Sequence, residues 1–301
     1  MFKGFSHSVK GASHEKTGLV CQDSSAFKVS ENYAIAVVAD GHGSKKHFRS
    51  NLGSKFAVEA TIETIDKFYE NTEDFESNFP VNHKLIIKNI QKQIIFNWNV
   101  RVTKHMEENP VTSEEKSKFT DEEFEKIPFE SYYGTTLVAA VATRNFTFGL
   151  QIGDGSLVAI FDDGKAVMPM EYNEAAPANV TTSMCNSNAA KMFSSFYVDS
   201  KKSIALFAST DGLYTSFGSE FDFLDYHSII TGQLTNLESF KKVIVNNLEK
   251  RAHFGTEDDI SLSSVFEDDF LTENAELIAN AIEENKKQAA ERKAEMLKKH
   301  V

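Results

Sequence analysis

The chain is 301 residues long, 41% hydrophobic and 25% charged, with 25 Phe against a single Trp; this is the composition of a globular protein with ample apolar mass for a core. Its 44 acids against 32 bases leave a formal net charge of −12, which argues against nucleic-acid partners and anionic membranes, since both reward clustered Lys and Arg. Two cysteines, Cys21 and Cys185, make neither a disulfide framework nor a zinc motif, and the longest apolar runs, at 33–39 and 137–142, are too short to span a bilayer. With no hydrophobic signal core near Met1, the expected location is the reducing cytoplasm.

In chain order, residues 25–29 and 33–39 flank the turn Ser30-Glu31-Asn32 and predict a hairpin. The second of these is nearly all apolar, as a strand buried on both faces must be. Apolar residues at helical spacing predict one helix from 48 to about 69, through Phe56, Ala57, Ala60, Ile62 and Ile65. A second runs from 82 to about 106, through Leu85, Ile86, Ile90, Ile94, Trp98 and Val102. Segment 105–130 is acidic and reads as a solvated loop with a turn or two of helix, Thr120 and Glu123 forming a capping box. Segments 134–143, 146–152 and 156–161, separated by turn residues, predict an antiparallel meander. Residues 169–190 form a polar, irregular loop, 203–209 a strand, 237–251 a helix and 259–266 a final strand. The remainder, 270–301, is an Ala/Glu/Lys-rich helical pattern with six acids and six bases, so the whole charge surplus precedes it. It reads either as a surface helix packed back on the domain or as a partner-binding or dimerising helix. Strands and helices grouped in blocks predict a layered α+β domain rather than a parallel doubly wound sheet.

The chemistry-bearing pattern is an apolar strand running into an aspartate beside a glycine. It occurs at Val37-Val38-Ala39-Asp40-Gly41-His42-Gly43, at Leu150-Gln151-Ile152-Gly153-Asp154-Gly155 and at Phe207-Ala208-Ser209-Thr210-Asp211-Gly212. Acids also stand just before strands, at Asp23 and at Glu257-Asp258-Asp259-Ile260. A carboxylate at a strand end projects into a sheet-edge cleft, and glycine lets a ligand approach the backbone. Taken singly, each Asp-Gly is a turn. Five such acids converging on one point cannot all stay ionised without a cation, and their oxygens suit Mg²⁺ or Mn²⁺.

The ordered series Gln22-Asp23, Ala39-Asp40-Gly41-His42-Gly43, Gly134-Thr135-Thr136, Gly153-Asp154-Gly155, Ser209-Thr210-Asp211-Gly212 and Glu257-Asp258-Asp259-Ile260 resembles the PP2C-type (PPM) serine/threonine phosphatases over about residues 4–267. Ser13-His14-Glu15-Lys16 ahead of Gln22-Asp23 is similar to the opening of their bacterial branch. The resemblance implies a four-layer αββα sandwich of two mainly antiparallel sheets flanked by helices, a domain placed at residues 1–268, and the helical pattern that follows makes 269–301 a C-terminal helical extension. It implies two Mn²⁺ or Mg²⁺ ions in a cleft between the sheets, hydrolysing phosphoserine or phosphothreonine with a metal-activated water and no protein nucleophile. On that likeness Asp40 bridges both ions and Gly41 lends its carbonyl to one. Asp211 and Asp258 bind the second ion, Asp23 lies near the first through water, and Asp154 matches the place of a weaker third ion in some members.

His42 resembles the histidine that protonates the departing Ser or Thr oxygen. The family's phosphate-binding arginine has no equal here, because Gly18, Leu19 and Val20 occupy its region. His14 is the favoured phosphate-binding replacement, with Lys16, Lys45, Lys46 and Arg49 as other candidates. Gln22 replaces an acid, and Thr215 stands where many members carry one. These departures leave an alternative reading, a catalytically weak module that binds or senses a phosphorylated partner; a two-metal nuclease lacks the basic groove it needs. The expected partners are a phosphorylated protein and a cognate Ser/Thr kinase, with no nucleic acid, no membrane and a monomeric state. The family's flap beside the site falls at 169–190, where it would shape substrate choice.

Overall fold

Why the strands are apolar on both faces is clear from β3 (Tyr33–Ala39), which lies between two other layers. Ala34, Ala36 and Val38 point one way, against a second sheet, and Tyr33, Ile35 and Val37 point the other way, against helices. The computed structural model describes residues 1–71, 75–171 and 181–299. One sheet has the order β2 (Ser24–Val29), β3, β4 (Leu137–Thr143), β5 (Thr147–Ile152), β8 (Ser194–Val198). The other runs β1 (Phe2–Val9), β10 (Ile260–Glu267), β9 (Ser203–Ser209), β6 (Ser156–Phe161), β7 (Ala166–Val167). Neighbours in both are antiparallel.

The space between the sheets is filled by alanines, among them Ala34, Ala36, Ala140, Ala159 and Ala208, interleaved with larger side chains such as Phe2, Leu157, Phe161, Phe196 and Leu206. The outer face of the first sheet packs on α2 (Ser50–Asn71) and α3 (Phe75–Glu108), through Ala57, Ile90, Ile94 and Trp98. That of the second packs on α7 (Glu220–Gln233) and α8 (Leu237–Phe254), through Phe223, Ile230, Phe240, Ile244 and Leu248. Each large apolar side chain buried in this way contributes about 2 kcal/mol. The result is the expected α+β, four-layer αββα sandwich.

Two details differ from expectation, and a third agrees with it. The predicted meander stops after two strands: β4 and β5 pair, but β6 crosses to the other sheet and pairs with β9 and β7. The crossing is made at Gly153, which takes φ +101 and whose missing Cβ would stand 2.4 Å from Thr136 Cγ2. The second long helix starts at Phe75 instead of 82, runs through Pro80 and kinks at Asn82 (φ −117, ψ 18), the point where the apolar spacing begins. Segment 105–130 holds two short helices, α4 (Ser113–Lys116) and α5 (Asp121–Glu125), each closed by a capping box at Thr112/Glu115 and Thr120/Glu123.

Further elements lack a clear sequence signal, including β1, β8, α7 and the short helix α1 (Ala12–Thr17). In α7 the apolar residues fall on every side, although Ser219 caps it by accepting from Asp222 N. Two further helices, α9 (Asp268–Glu273) and α10 (Ala275–Lys299), follow β10. The last of these packs back on α7, burying Ile278 and pairing Arg292 with Asp225 at 3.3 Å.

Candidate active site

Each strand-end turn is pinned by hydrogen bonds that aim its carboxylate at one end of the sandwich. At the end of β3, Asp40 N–H donates to Thr136 Oγ1 (3.1 Å), and its carbonyl accepts from Thr136 N (2.8 Å) and Thr135 Oγ1 (2.8 Å). This explains the Gly134-Thr135-Thr136 motif: its hydroxyls clamp the Asp40 backbone. Gly41 N–H donates to Gln22 O at 3.2 Å, and a Cβ there would stand 2.6 Å from that same oxygen, so only glycine fits.

Asp211 opens the short helix α6 (Asp211–Thr215) directly after β9. The preceding Thr210 accepts from Ser261 N (2.8 Å) and donates to Asp23 Oδ2 (2.7 Å). Asp258 is held by its neighbour. Glu257 takes φ +62, a left-handed conformation that costs a non-glycine residue about 1 kcal/mol, while its carbonyl accepts from Ser13 N (2.9 Å) and its carboxylate pairs with Lys16 (3.1 Å).

These turns enclose a cleft of about 330 Å³ lined by Asp40, Gly41, His42, Asp154, Asp211 and Asp258, together with His14, Gln22, Gly43, Thr181 and Asp259. Asp23 is buried and does not line it; its carboxylate is engaged by Thr210. No Lys or Arg lines the cleft among the described residues. The other phosphate-binding candidates are engaged or turned elsewhere. Lys16 pairs with Glu257, Lys45 pairs with Glu123 at 3.3 Å, and Lys46 is exposed outside the cleft lining.

Arg49 is 6% exposed and buried away from the cleft. It grips Glu115 with two bonds (2.7 and 2.9 Å), donates to Tyr133 Oη (3.0 Å), and holds the Asn109 and Pro110 carbonyls. Its guanidinium holds the Glu115 carboxyl down to about 2. Arg49 ties the acidic segment to the start of α2, so the reading of it as a solvated helix start or a phosphate ligand is corrected.

Burial, then the charge of the neighbouring carboxylates Asp23 and Asp211, pushes Asp40 well above the usual carboxylate range. Asp211 and Asp23 are raised too, burial being the first cause in each. His42 is pushed down to about 4, by burial and then by His47, whose ring centroid lies 4.9 Å away.

Two buried polar atoms of cleft-lining residues lack hydrogen-bond partners among the described residues: Gln22 Oε1, and His14 Nδ1, which stands 3.0 Å from Asp259 Oδ2 without hydrogen-bond alignment. Among the described residues no three His, Cys, Asp or Glu side chains form a ready-made metal cage. The donor chemistry nonetheless fits hard divalent cations, since the carboxylates and the Gly41 carbonyl offer only oxygen.

Asp259 was not singled out by its sequence position. It is 3% exposed and accepts from Gly11 N (2.7 Å) and Gln22 N (2.6 Å), joining the entries to α1 and β2 to the start of β10. The adjacent acids Asp258-Asp259 were the available signal, but only their contacts separate the two. Of the segment 169–190, residues 172–180 lie outside the described residues. Thr181 Oγ1, just after them, donates to Asp154 Oδ2 at 2.8 Å.

The family profile described as Protein phosphatase 2C matches residues 10–249. The chain belongs to that family and is by class a protein-serine/threonine phosphatase. Solved structures share the fold. PppA, a key regulatory component of T6SS in Pseudomonas aeruginosa, is 15% identical with a TM-score of 0.55, over 88% of this chain and 97% of that one. The serine/threonine phosphatase of S. agalactiae is 13% identical with a TM-score of 0.53, over 88% and 99%. The catalytic domain of the serine threonine protein phosphatase PstP, in complex with two manganese ions, is 12% identical with a TM-score of 0.52, over 88% and 97%. No curated protein sequence matches the chain. Among the described residues no helix is long and apolar enough to cross a membrane.

Proposed function

We propose that the protein removes phosphate from phosphoserine and phosphothreonine in proteins at this cleft, with two Mn²⁺ or Mg²⁺ ions. The observation that carries the reading is that Asp40, Asp154, Asp211 and Asp258, from separate turns, line one cleft whose described lining holds no Lys or Arg. A phosphate dianion is repelled there unless cations neutralise the wall. Asp40 would hold both ions and Gly41 O one of them. Asp211 and Asp258 would hold the second, Asp154 a weaker third, and Asp23, off the wall, would act through water. Bound in this way, the ions supply an acidified water and neutralise the phosphoryl oxygens.

The chain's own contribution is orientation: His14 faces the phosphoryl group and His42 the departing oxygen. The substrate is a phosphoprotein, so a Ser/Thr kinase must supply it. Purified protein should hydrolyse p-nitrophenyl phosphate and a phosphothreonine peptide with Mn²⁺ and stop when EDTA is added; a rate indifferent to EDTA refutes the metal centre.

Two substitutions separate the histidine roles. His42→Ala should lower kcat on the phosphothreonine peptide about 100-fold while leaving p-nitrophenyl phosphate nearly unaffected, because a phenolate departs without a proton and an alkoxide does not. Equal losses on both substrates would remove His42 from leaving-group protonation. His14→Ala should raise KM for the phosphopeptide roughly tenfold at nearly constant kcat. An unchanged KM would take it out of the phosphate site.

A further inference from the structure

We propose that the exposed face of α3, with the cleft it shares with β8, docks an acidic stretch of the phosphoprotein substrate. Residues 77–106 contain no Asp or Glu, yet carry Lys84, Lys88, Lys92, Arg101 and Lys104, in a chain whose net charge is −12. Arg101 is neutralised by Glu59 and Glu63 of α2, and Lys104 stands 3.9 Å from Glu108. Lys84, Lys88 and Lys92 are exposed and make no ion pair among the described residues. Their four-residue spacing sets them in one row along the helix.

Lys84 and Lys88 open onto a cleft of about 390 Å³ whose far wall includes Lys191 and Tyr197, with Glu171 the acid among its described lining. His83 stacks on Tyr197 at 4.2 Å and floors it with aromatic surface. On the same exposed side, Leu85 and Phe96 are 61% and 60% exposed and give a bound chain apolar contacts. The occupant is an acidic peptide because the surface is concave, local and basic within an acidic protein. A broad polyanion laid across it would meet the surrounding negative charge, whereas a short carboxylate run meets only the lysines.

The position also suits a substrate. Thr181 lines the catalytic cleft and Ala190 lines this one, so the two lie nine residues apart on a single segment, at most about 32 Å if fully extended. The inference rests on the phosphatase reading for the identity of the peptide, but its binding is measured independently.

The test compares two phosphothreonine peptides that differ only in a flanking run of Glu or of Gln. With the wild type, KM for the Glu peptide should be roughly five- to tenfold lower, and the advantage should fade as salt is raised. In the Lys84→Glu/Lys88→Glu double variant that preference should vanish, with p-nitrophenyl phosphate kinetics and the Gln peptide unchanged. Equal KM values in the wild type, or a preference that survives in the variant, overturn the proposal. Fluorescence anisotropy with the labelled peptides separates this from a failure of catalysis. Selective binding of the Glu peptide that is lost in the variant supports the groove even without turnover. No selective binding overturns it. Binding to phosphatidylserine vesicles that the variant loses, without any peptide preference, overturns it in favour of a membrane surface.

Discussion

Asp40→Asn is expected to lower metal-dependent phosphatase activity by about 10³-fold or more, because it removes the one carboxylate proposed to touch both ions. The loss should come without unfolding. Asp40 is largely desolvated, and the charges of Asp23, Asp211 and Asp258 bear on it. Replacing one of these acids by a neutral isostere relieves that crowding, so the metal-free variant should melt above the metal-free wild type.

The pH dependence follows with a definite sign. Asp40, Asp211 and Asp23 have folded pKa values raised above their unfolded ones, so the folded state binds more protons and these groups cost stability as pH rises. Metal-free protein should therefore lose stability between mildly acidic and neutral pH, and Asp40→Asn should flatten that slope. Mn²⁺ acts in the opposite sense: a ligand at a hundred times its Kd adds about 2.7 kcal/mol to a folded state that alone binds it. The wild-type Tm should rise with Mn²⁺ and fall back with EDTA, and the shift should be largely lost in Asp40→Asn. An equal Mn²⁺ shift in both proteins would show that Asp40 holds no ion.

Asp259→Ala should be the most destabilising single change near the cleft. The carboxylate is the acceptor for Gly11 N and Gln22 N, and without it two amides lose their partner. At about 1–3 kcal/mol for each unsatisfied group, the expected loss is about 4 kcal/mol, or roughly 6 °C in Tm. Since those amides set the course of the chain past His14 and into Asp23, KM should rise as well. Asp259→Asn keeps one oxygen acceptor and removes the charge that bears on Asp23, so it should recover about half of the stability. If Asn proves no better than Ala, the hydrogen-bond account of Asp259 fails.

Much of this was legible in the residues. The run Tyr33–Ala39 is apolar at every position because both its faces are covered, and that pattern survives any rearrangement of what covers them. Strand-end Asp-Gly pairs were legible because a turn and a ligand site both require them, and the six ordered motifs singled out the cleft-lining residues Asp40, Gly41, Asp154, Asp211 and Asp258. Other features left no local trace. The apolar residues of α7 follow no helical stripe, since Phe223 and Ile230 face the sheet while α10 covers another side. Arg49 looked like a cation at an exposed helix start. Its burial depends on Glu115, 66 positions away.

The net charge of −12 shows the same division. It weighs against polyanions as general partners, but the total cannot reveal that acids crowd one cleft while Lys84, Lys88 and Lys92 of α3 make no ion pair among the described residues. Composition, strand periodicity and the chemistry of the donor atoms are written residue by residue, so the sequence alone determined the layered fold class and the oxygen-rich character of the site. Which sheet β6 joins, which of Asp258 and Asp259 takes the backbone amides, and that none of the candidate Lys and Arg residues lines the cleft were decided only by tertiary structure. The bond from Gly11 to Asp259 spans 248 positions, and a contact of that range is set by how the sheets stack rather than by any spacing within a segment.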